Sequence, residues 1–413
     1  MPDRADRGSA RPERDFAMPD SRRFTALVRT RCDYTGESYR VLHGRLNDPS
    51  VRNGRIPDAT NADQAQVESD VLTALVQLGV WTAHPLGIAR VRPTGGGSVM
   101  VHLDSHTELH GGGVFSLSQI AVEALLPYAV PDGELCGVMG LRINGVSRND
   151  LHLGRVGTNS TIVIRGVPGA RWRTHIDERR RTLEAERLIP LWDQPSESGH
   201  ERAWRTTHPW IAELSRTYAW LGSALLRRTA LFHTASSAWS TRSWRDGATW
   251  VFEMTSDADA PTDHDSFLTR LTDPAWGTPM RVRESSYCSC DWSRSALFDR
   301  ECTFELEHLT EPEAVLQLRF VVRNRRPDDW VAGFRARLRR IGADPRWIDR
   351  VLPTVDPDLA NCRERQARHD LNRMFTAFDS EGASSVHPGS GGAGWSEQRR
   401  LSSRSQETSG TAD

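Results

Sequence analysis

The chain has 413 residues, of which 38% are hydrophobic and 26% charged. That length implies roughly two to three domains, and that composition excludes collagen, coiled coil and wholesale disorder. The net charge is −1 and all 53 basic residues are arginine, so no global field draws nucleic acid or an anionic membrane, and no chemistry that needs a lysine is open to it.

Residues 1–20 are polar and rich in Arg and Asp, and they read as disordered. Phe24, Leu27 and Val28, then Tyr39, Val41, Leu42 and Leu46, predict two short helices around a break at Thr35-Gly36. Val67, Val71, Leu75 and Leu78 recur at helical spacing and predict an amphipathic helix over 62–78. From Pro85 to Gly166 short alternating runs separated by glycine-rich turns predict strands, interrupted by a helix over 117–126.

Prolines and small polar residues make 191–207 the expected linker between an N-terminal α+β domain, 21–190, and a C-terminal one, 208–378. The second domain opens on a helix over 210–232 with a stripe through Leu214, Tyr218, Leu221 and Leu225. An antiparallel meander interrupted by a helix over 266–271 follows, and three helices over 328–378 close the domain. The stretch 379–413 is Ser/Gly-rich and reads as a disordered tail. Strands and helices fall in segregated runs, so the fold class is α+β, with two domains of short antiparallel strands and flanking helices. No internal sequence repeat stands out.

Without lysine the chain cannot be a P-loop NTPase, a protein kinase, a Schiff-base enzyme or a Ser-Lys hydrolase. Arginine in place of lysine, among many Ala, Gly and Pro, is what a GC-rich bacterial genome encodes. No apolar run reaches the roughly 18–20 residues that a membrane span needs. The first residues carry no apolar signal core, and six scattered cysteines do not make a disulfide scaffold. The expectation is a cytoplasmic protein without a membrane partner.

The densest candidate site is MVHLDSHTELHGGG. On a strand Val99, Val101 and Leu103 share one face, leaving His102 and Asp104 on the other, with His106 and His110 in the loop beyond. Two imidazoles and a carboxylate at a strand end suit non-haem iron or zinc. His102-x-Asp104 resembles the paired ligands of iron- and 2-oxoglutarate-dependent oxygenases. The resemblance implies a distal histidine and an anion-binding arginine, for which His152 and Arg165 on later strands are the candidates. The motif also resembles that of the metallo-β-lactamases, with Asp104 where that pattern carries histidine. The competing reading is a polar strand face running into a polar loop.

Cys288, Cys290 and Cys302 fall on one face if 293–299 turns a hairpin that sets Cys290 opposite Cys302. His308 lies about 20 Å along the strand from Cys302 and cannot complete a zinc site there. The simpler expectation is three small buried hydrophobes. Asp257, Asp259, Asp263 and Asp265 around His264 resemble the carboxylate pair of haloacid dehalogenase-like phosphatases, which also employ a lysine that this chain lacks, and helix capping by Asp263 or Asp265 is the simpler account.

Arg335, Arg337, Arg339 and Arg340 lie off the apolar stripe of the first closing helix and suit DNA phosphates. The surrounding segment, 328–378, holds ten arginines against eight acids, which is equally a solvated face. Ten of the 14 tryptophans lie between Trp204 and Trp347 and either fill a core or line a pocket. No complete GxSxG, HExxH, CxxC or strand-borne GxGxxG is present. The expected function is therefore an accessory or regulatory binding protein without its own catalytic centre or cofactor, its partner another protein or DNA. The alternatives are a metal enzyme using iron or zinc at His102 and Asp104, and a DNA-associated protein.

Overall fold

The structure, a computed structural model, describes residues 21–47, 56–76, 84, 86–94, 97–104, 107–108, 114–234, 240–246, 249–257, 264–288, 300–310 and 314–323, with seven single positions between 332 and 349. It is α+β, with helices packed on two mixed five-stranded sheets. The expected terminal segments 1–20 and 379–413 lie outside the described residues.

Helices α1 (Ser21–Thr35) and α2 (Tyr39–Leu46) are separated at Gly36. There φ is +73°, and a Cβ would meet the Ala89 carbonyl oxygen at 2.7 Å, so only glycine turns the chain at this point. Helix α3 (Ala62–Val76) buries Val67, Val71 and Leu75, the stripe read from its spacing, and the Asn61 side chain accepts from the Gln64 N–H at its start.

The first sheet comprises β1 (Ile88–Pro93), β2 (Val99–Leu103), β7 (Leu141–Val146), β8 (Asp150–Arg155) and β9 (Thr161–Arg165), in the order β1-β2-β9-β8-β7. Between β2 and β7 run the short pair β3 (Thr107–Glu108) and β4 (Val114–Phe115), then α4 (Leu117–Leu125), β5 (Tyr128–Ala129) and β6 (Leu135–Cys136). After β9 come α5 (Gly169–Ala185) and β10 (Ile189–Pro190), and β10 joins β5 and β6 in a small sheet.

Four helices follow: α6 (Gly199–Thr207), α7 (Pro209–Thr217), α8 (Ala219–Arg227) and α9 (Ala230–Thr234). The second sheet comprises β11 (Ser240–Asp246), β12 (Thr249–Asp257), β13 (Met280–Val282), β14 (Arg300–His308) and β15 (Val315–Arg323), with α10 (His264–Leu271) between β12 and β13. Its order is β11-β12-β15-β14-β13.

The two sheets follow one path. Each opens on an antiparallel hairpin and crosses over through a helix. A three-strand meander then brings its last strand back beside the hairpin's second strand, and that central pair, β2 with β9 or β12 with β15, is parallel. The expected antiparallel meander is thus corrected at its centre. In the parallel register Trp250, Phe252 and Met254 stand beside Leu316, Leu318 and Phe320, so all six buried side chains share the core face.

Two further expectations differ. The helix expected over 210–232 is broken at Tyr218 and again at Arg228, where the buried Arg228 side chain donates to the Trp276 carbonyl. The expected linker carries α6 and its capping box, in which Ser198 and Glu201 satisfy each other's backbone N–H. Glu201, fully buried, also takes both terminal nitrogens of Arg142 on β7, at 2.6 and 3.0 Å. Burial opposes ionisation of Glu201, but the hydrogen bonds from Arg142 and Ser198 outweigh it and hold the carboxyl below its usual range. One hydrophobic core runs through both halves, from Val67 and Val101 to Phe252 and Leu318.

Helix α3 meets α8 closely, because a Cβ on Gly222 would lie 2.2 Å from the Ser69 hydroxyl. Across this contact Glu68 and Arg227, both without exposed side-chain surface, form a bidentate pair at 2.6 and 2.7 Å. Arg227→Ala leaves the Glu68 carboxylate buried beside only Gln64 and Ser223. The expected loss is about 3–5 kcal/mol of unfolding free energy in urea titrations; a loss below about 1 kcal/mol would show that the pair does not hold the halves together.

Candidate functional site

The strand-end residues are held in two separate arrangements. His102 lies in a row across the first sheet, opposite Arg90 on β1 and Arg165 on β9, and Arg165 in turn stands opposite Asp150 on β8. The Arg165 fork is on that carboxylate, donating from Nε to Oδ1 at 2.5 Å and from a terminal nitrogen to Oδ2 at 2.8 Å. The guanidinium read as an anion clamp is therefore engaged within the sheet. Burial, then the charges of Arg90 and Arg165, push the His102 imidazole down to about 4, so it is neutral at pH 7.

Asp104, past the end of β2, binds His84 instead: its Oδ1 lies 2.7 Å from Nδ1, and Oδ2 accepts from the His84 N–H at 3.0 Å. The His84 ring packs at 4.4 Å from that of His233. His152 lies on β8, beyond the intervening β9, with Nε2 3.2 Å from the Ser147 hydroxyl. His106 and His110 lie outside the described residues. His102, Asp104 and His152 are not gathered into a three-ligand group, and the arginines bordering His102 oppose a cation.

Of the arginines read as phosphate contacts, Arg335 donates to Asp349 at 2.6 Å and Arg339 is exposed. Arg337 and Arg340 lie outside the described residues. The thiols sit in a different register from the expected one. The bridge between Tyr287 and Thr303 sets Cys288, not Cys290, opposite Cys302, with the sulfurs 3.6 Å apart; Cys290 lies outside the described residues. The His308 ring packs on Trp220, away from the sulfurs, while His264, the first residue of α10, brings Nε2 to 3.4 Å from the Cys288 sulfur.

One concavity was not read from the sequence. It is a cavity of about 810 Å³ where α3, α7 and the end of β8 meet, within the size range of small-molecule sites. Gln66, Asp70, Thr73 and Ala74 line it from the α3 face that the apolar stripe leaves over. Asp70 is its polar centre. It accepts from the Ser215 hydroxyl on α7 at 2.6 Å and from Arg155 on β8 at 3.1 Å. Gln66 donates to the same serine at 3.2 Å.

Arg245 on β11 also faces this carboxylate, its guanidinium 4.9 Å from the Tyr218 ring centre and 5.4 Å from that of Trp250. Burial lowers the pKa of Arg245 and raises that of Asp70, the latter against the pull of Arg155, Ser215 and Arg245. At the rim stand Trp204, which packs on His208, the exposed Arg216, and Trp210, which is 60% exposed. Within the tryptophan-dense stretch both readings have an example, since Trp250 is fully buried in the core while Trp204 and Trp210 wall the groove.

The His102 environment sets a pH dependence. Unfolded, the imidazole titrates near its ordinary pKa of about 6.5; folded, it titrates near about 4. Between these values the unfolded chain binds a proton that the folded one does not, so stability is full above pH ~6.5 and falls as pH drops toward ~4. His102→Gln removes this component. The parent's stability relative to this variant should fall by about 1–2 kcal/mol between pH 7 and 4.5, allowing for solvent screening. Parallel pH profiles for the two proteins would refute a buried neutral histidine.

Comparison of the chain with protein-family models, with curated proteins and with solved structures finds no match.

Proposed function

We propose that the chain is a cytoplasmic bacterial accessory or regulatory protein that acts by binding, without a catalytic centre of its own, and that its ligand is an anionic, ring-bearing small molecule seated in the groove between α3 and α7. The observation that carries this reading is the charge balance of the groove. Arg155 donates to the single lining carboxylate, Asp70, and Arg245 acts on it electrostatically; of the two further lining arginines Arg205 is paired with Glu197, while Arg216 is exposed at the rim. One carboxylate leaves Arg155, Arg245 and Arg216 under-compensated, and a ligand anion would supply the missing charge.

The aromatic wall supports the rest of the reading. An indole with most of its surface exposed, as at Trp210, forfeits burial that a stacked planar ring would restore. Asp70 and Ser215 supply the polar groups that would orient such a ring. Because α7 and α3 belong to different halves of the chain, a ligand bound to both would stiffen their junction, and this is how occupancy would reach a protein partner.

A reducing compartment agrees with the cysteines, since none of the four described forms a disulfide. Among the described residues no helix is long and apolar enough to cross a membrane. The metal-enzyme alternative draws less support because Arg90 and Arg165 border His102, and the DNA alternative because Asp349 neutralises Arg335.

The test uses anilinonaphthalenesulfonate, an anionic ring probe, titrated against the full chain and followed by fluorescence. Saturable binding is expected, weakened about tenfold by Trp210→Ala and by Arg216→Gln, each tenfold step being about 1.4 kcal/mol. Both positions are exposed, so both variants should fold. Unsaturable binding, or equal affinity in the parent and both variants, would remove the groove as the ligand seat.

A further inference from the structure

Three side chains far apart in the sequence converge at the start of α10. Cys288 and Cys302 face each other across the strand register with sulfurs 3.6 Å apart. His264 Nε2 lies 3.4 Å from the Cys288 sulfur, and all three candidate ligand atoms lie within 4.8 Å of one another. Among the described residues this is the one group of three or more His, Cys, Asp or Glu side chains arranged in this way.

Two of the three separations, those from the Cys288 sulfur, are close to the edges of a coordination polyhedron. With Zn–S near 2.3 Å and Zn–N near 2.0–2.1 Å, a tetrahedron sets two thiolates about 3.8 Å apart and a thiolate and imidazole about 3.5 Å apart. The observed edges of 3.6 and 3.4 Å are about 0.2 and 0.1 Å shorter.

The surroundings fit as well. His264 Nδ1 lies 2.8 Å from the Asp265 carboxylate, the kind of outer partner that orients a ligating imidazole so that Nε2 points at the metal. The ring is flanked by Phe304 at 4.9 Å and Phe320 at 5.8 Å, and Cys302 is only 3% exposed, so the site has an apolar wall on the sheet side. Cys288 is half-buried, which leaves a side for entry.

We propose that His264, Cys288 and Cys302 bind one zinc ion. Zinc binding converts both thiols to thiolates and releases their two protons to solvent, with no redox change. Soft sulfur ligands select zinc over magnesium or calcium. The ion ties the start of α10 to β14 and to the segment entering from β13, so its role is to clip the open edge of the second sheet. This site is independent of the groove and of its ligand.

The test is metal analysis of the full-length chain purified without chelator, followed by cobalt(II) substitution of the stripped protein. One equivalent of zinc is expected, and cobalt should give sulfur-to-metal charge transfer and the intense visible bands of tetrahedral coordination. Cys288→Ser and His264→Ala should each weaken zinc binding by about a hundredfold or more. Asp265→Asn, at a position 85% exposed and safe for folding, should weaken it by about ten- to a hundredfold. Cys302→Ser is buried and is read by cobalt spectra only if it folds. Absence of zinc from the native protein together with no tetrahedral cobalt spectrum, or equal metal uptake in Cys288→Ser and the parent, would overturn the site.

Discussion

A carboxylate and a guanidinium that never meet water, Glu68 and Arg227, set the constraint from which the architecture follows. Removing two such charges from solvent costs several kcal/mol each, and the contact is sustained only because every polar atom finds a partner. Gln64 and Ser223 donate to the carboxylate, and Arg227 also donates to the carbonyls of Pro57 and Gly97. The Gly97 carbonyl lies in the turn between β1 and β2. The pair therefore fixes α3 against α8 and holds the turn before β2 in the same network.

That fixed contact explains where the groove lies. Helix α3 turns Val67, Val71 and Leu75 into the core and Glu68 toward α8, which leaves Gln66, Asp70, Thr73 and Ala74 along its remaining side. Helix α7 precedes α8 and brings Ser215 to Asp70, while β8 and β11 bring Arg155 and Arg245 from the two sheets. Each half contributes to a polar centre that neither forms alone. The shared strand path gives both halves a parallel central pair, and burial of one apolar face explains each register.

The ion pairs away from this centre differ in kind. Arg142 with Glu201 is buried and joins β7 to α6, which makes the expected linker part of the packed structure. Arg281 and Arg283 with Glu307 lie at the solvent-exposed edge of the second sheet, where such pairs contribute little to stability but charge an edge strand against association. An arginine-only chain suits both uses, because the guanidinium fork binds a carboxylate bidentately whether buried or exposed.

The sequence by itself determined the local elements whose periodicity is strong. The stripe of α3, the break at Gly36 and the alternation of the strands follow from side-chain spacing and backbone sterics, which act over a few residues. It also placed Val99, Val101 and Leu103 on one face of β2, and it excluded lysine chemistry outright.

What only the tertiary structure decided is which separated residues meet. Asp70 and Ser215 lie 145 positions apart, and Glu68 and Arg227 lie 159 apart. His264 reaches Cys288 from 24 positions upstream, where the sequence offered His308 and found it too distant. The thiol register differed by two residues because the hairpin length could not be read from turn residues alone. Likewise His102 and Asp104, two residues apart, are drawn by the fold to different partners, Arg90 and Arg165 for one and His84 for the other. Periodicity reports which face a side chain occupies; the partner on that face is set by the packing of elements whose order in space the chain does not spell out.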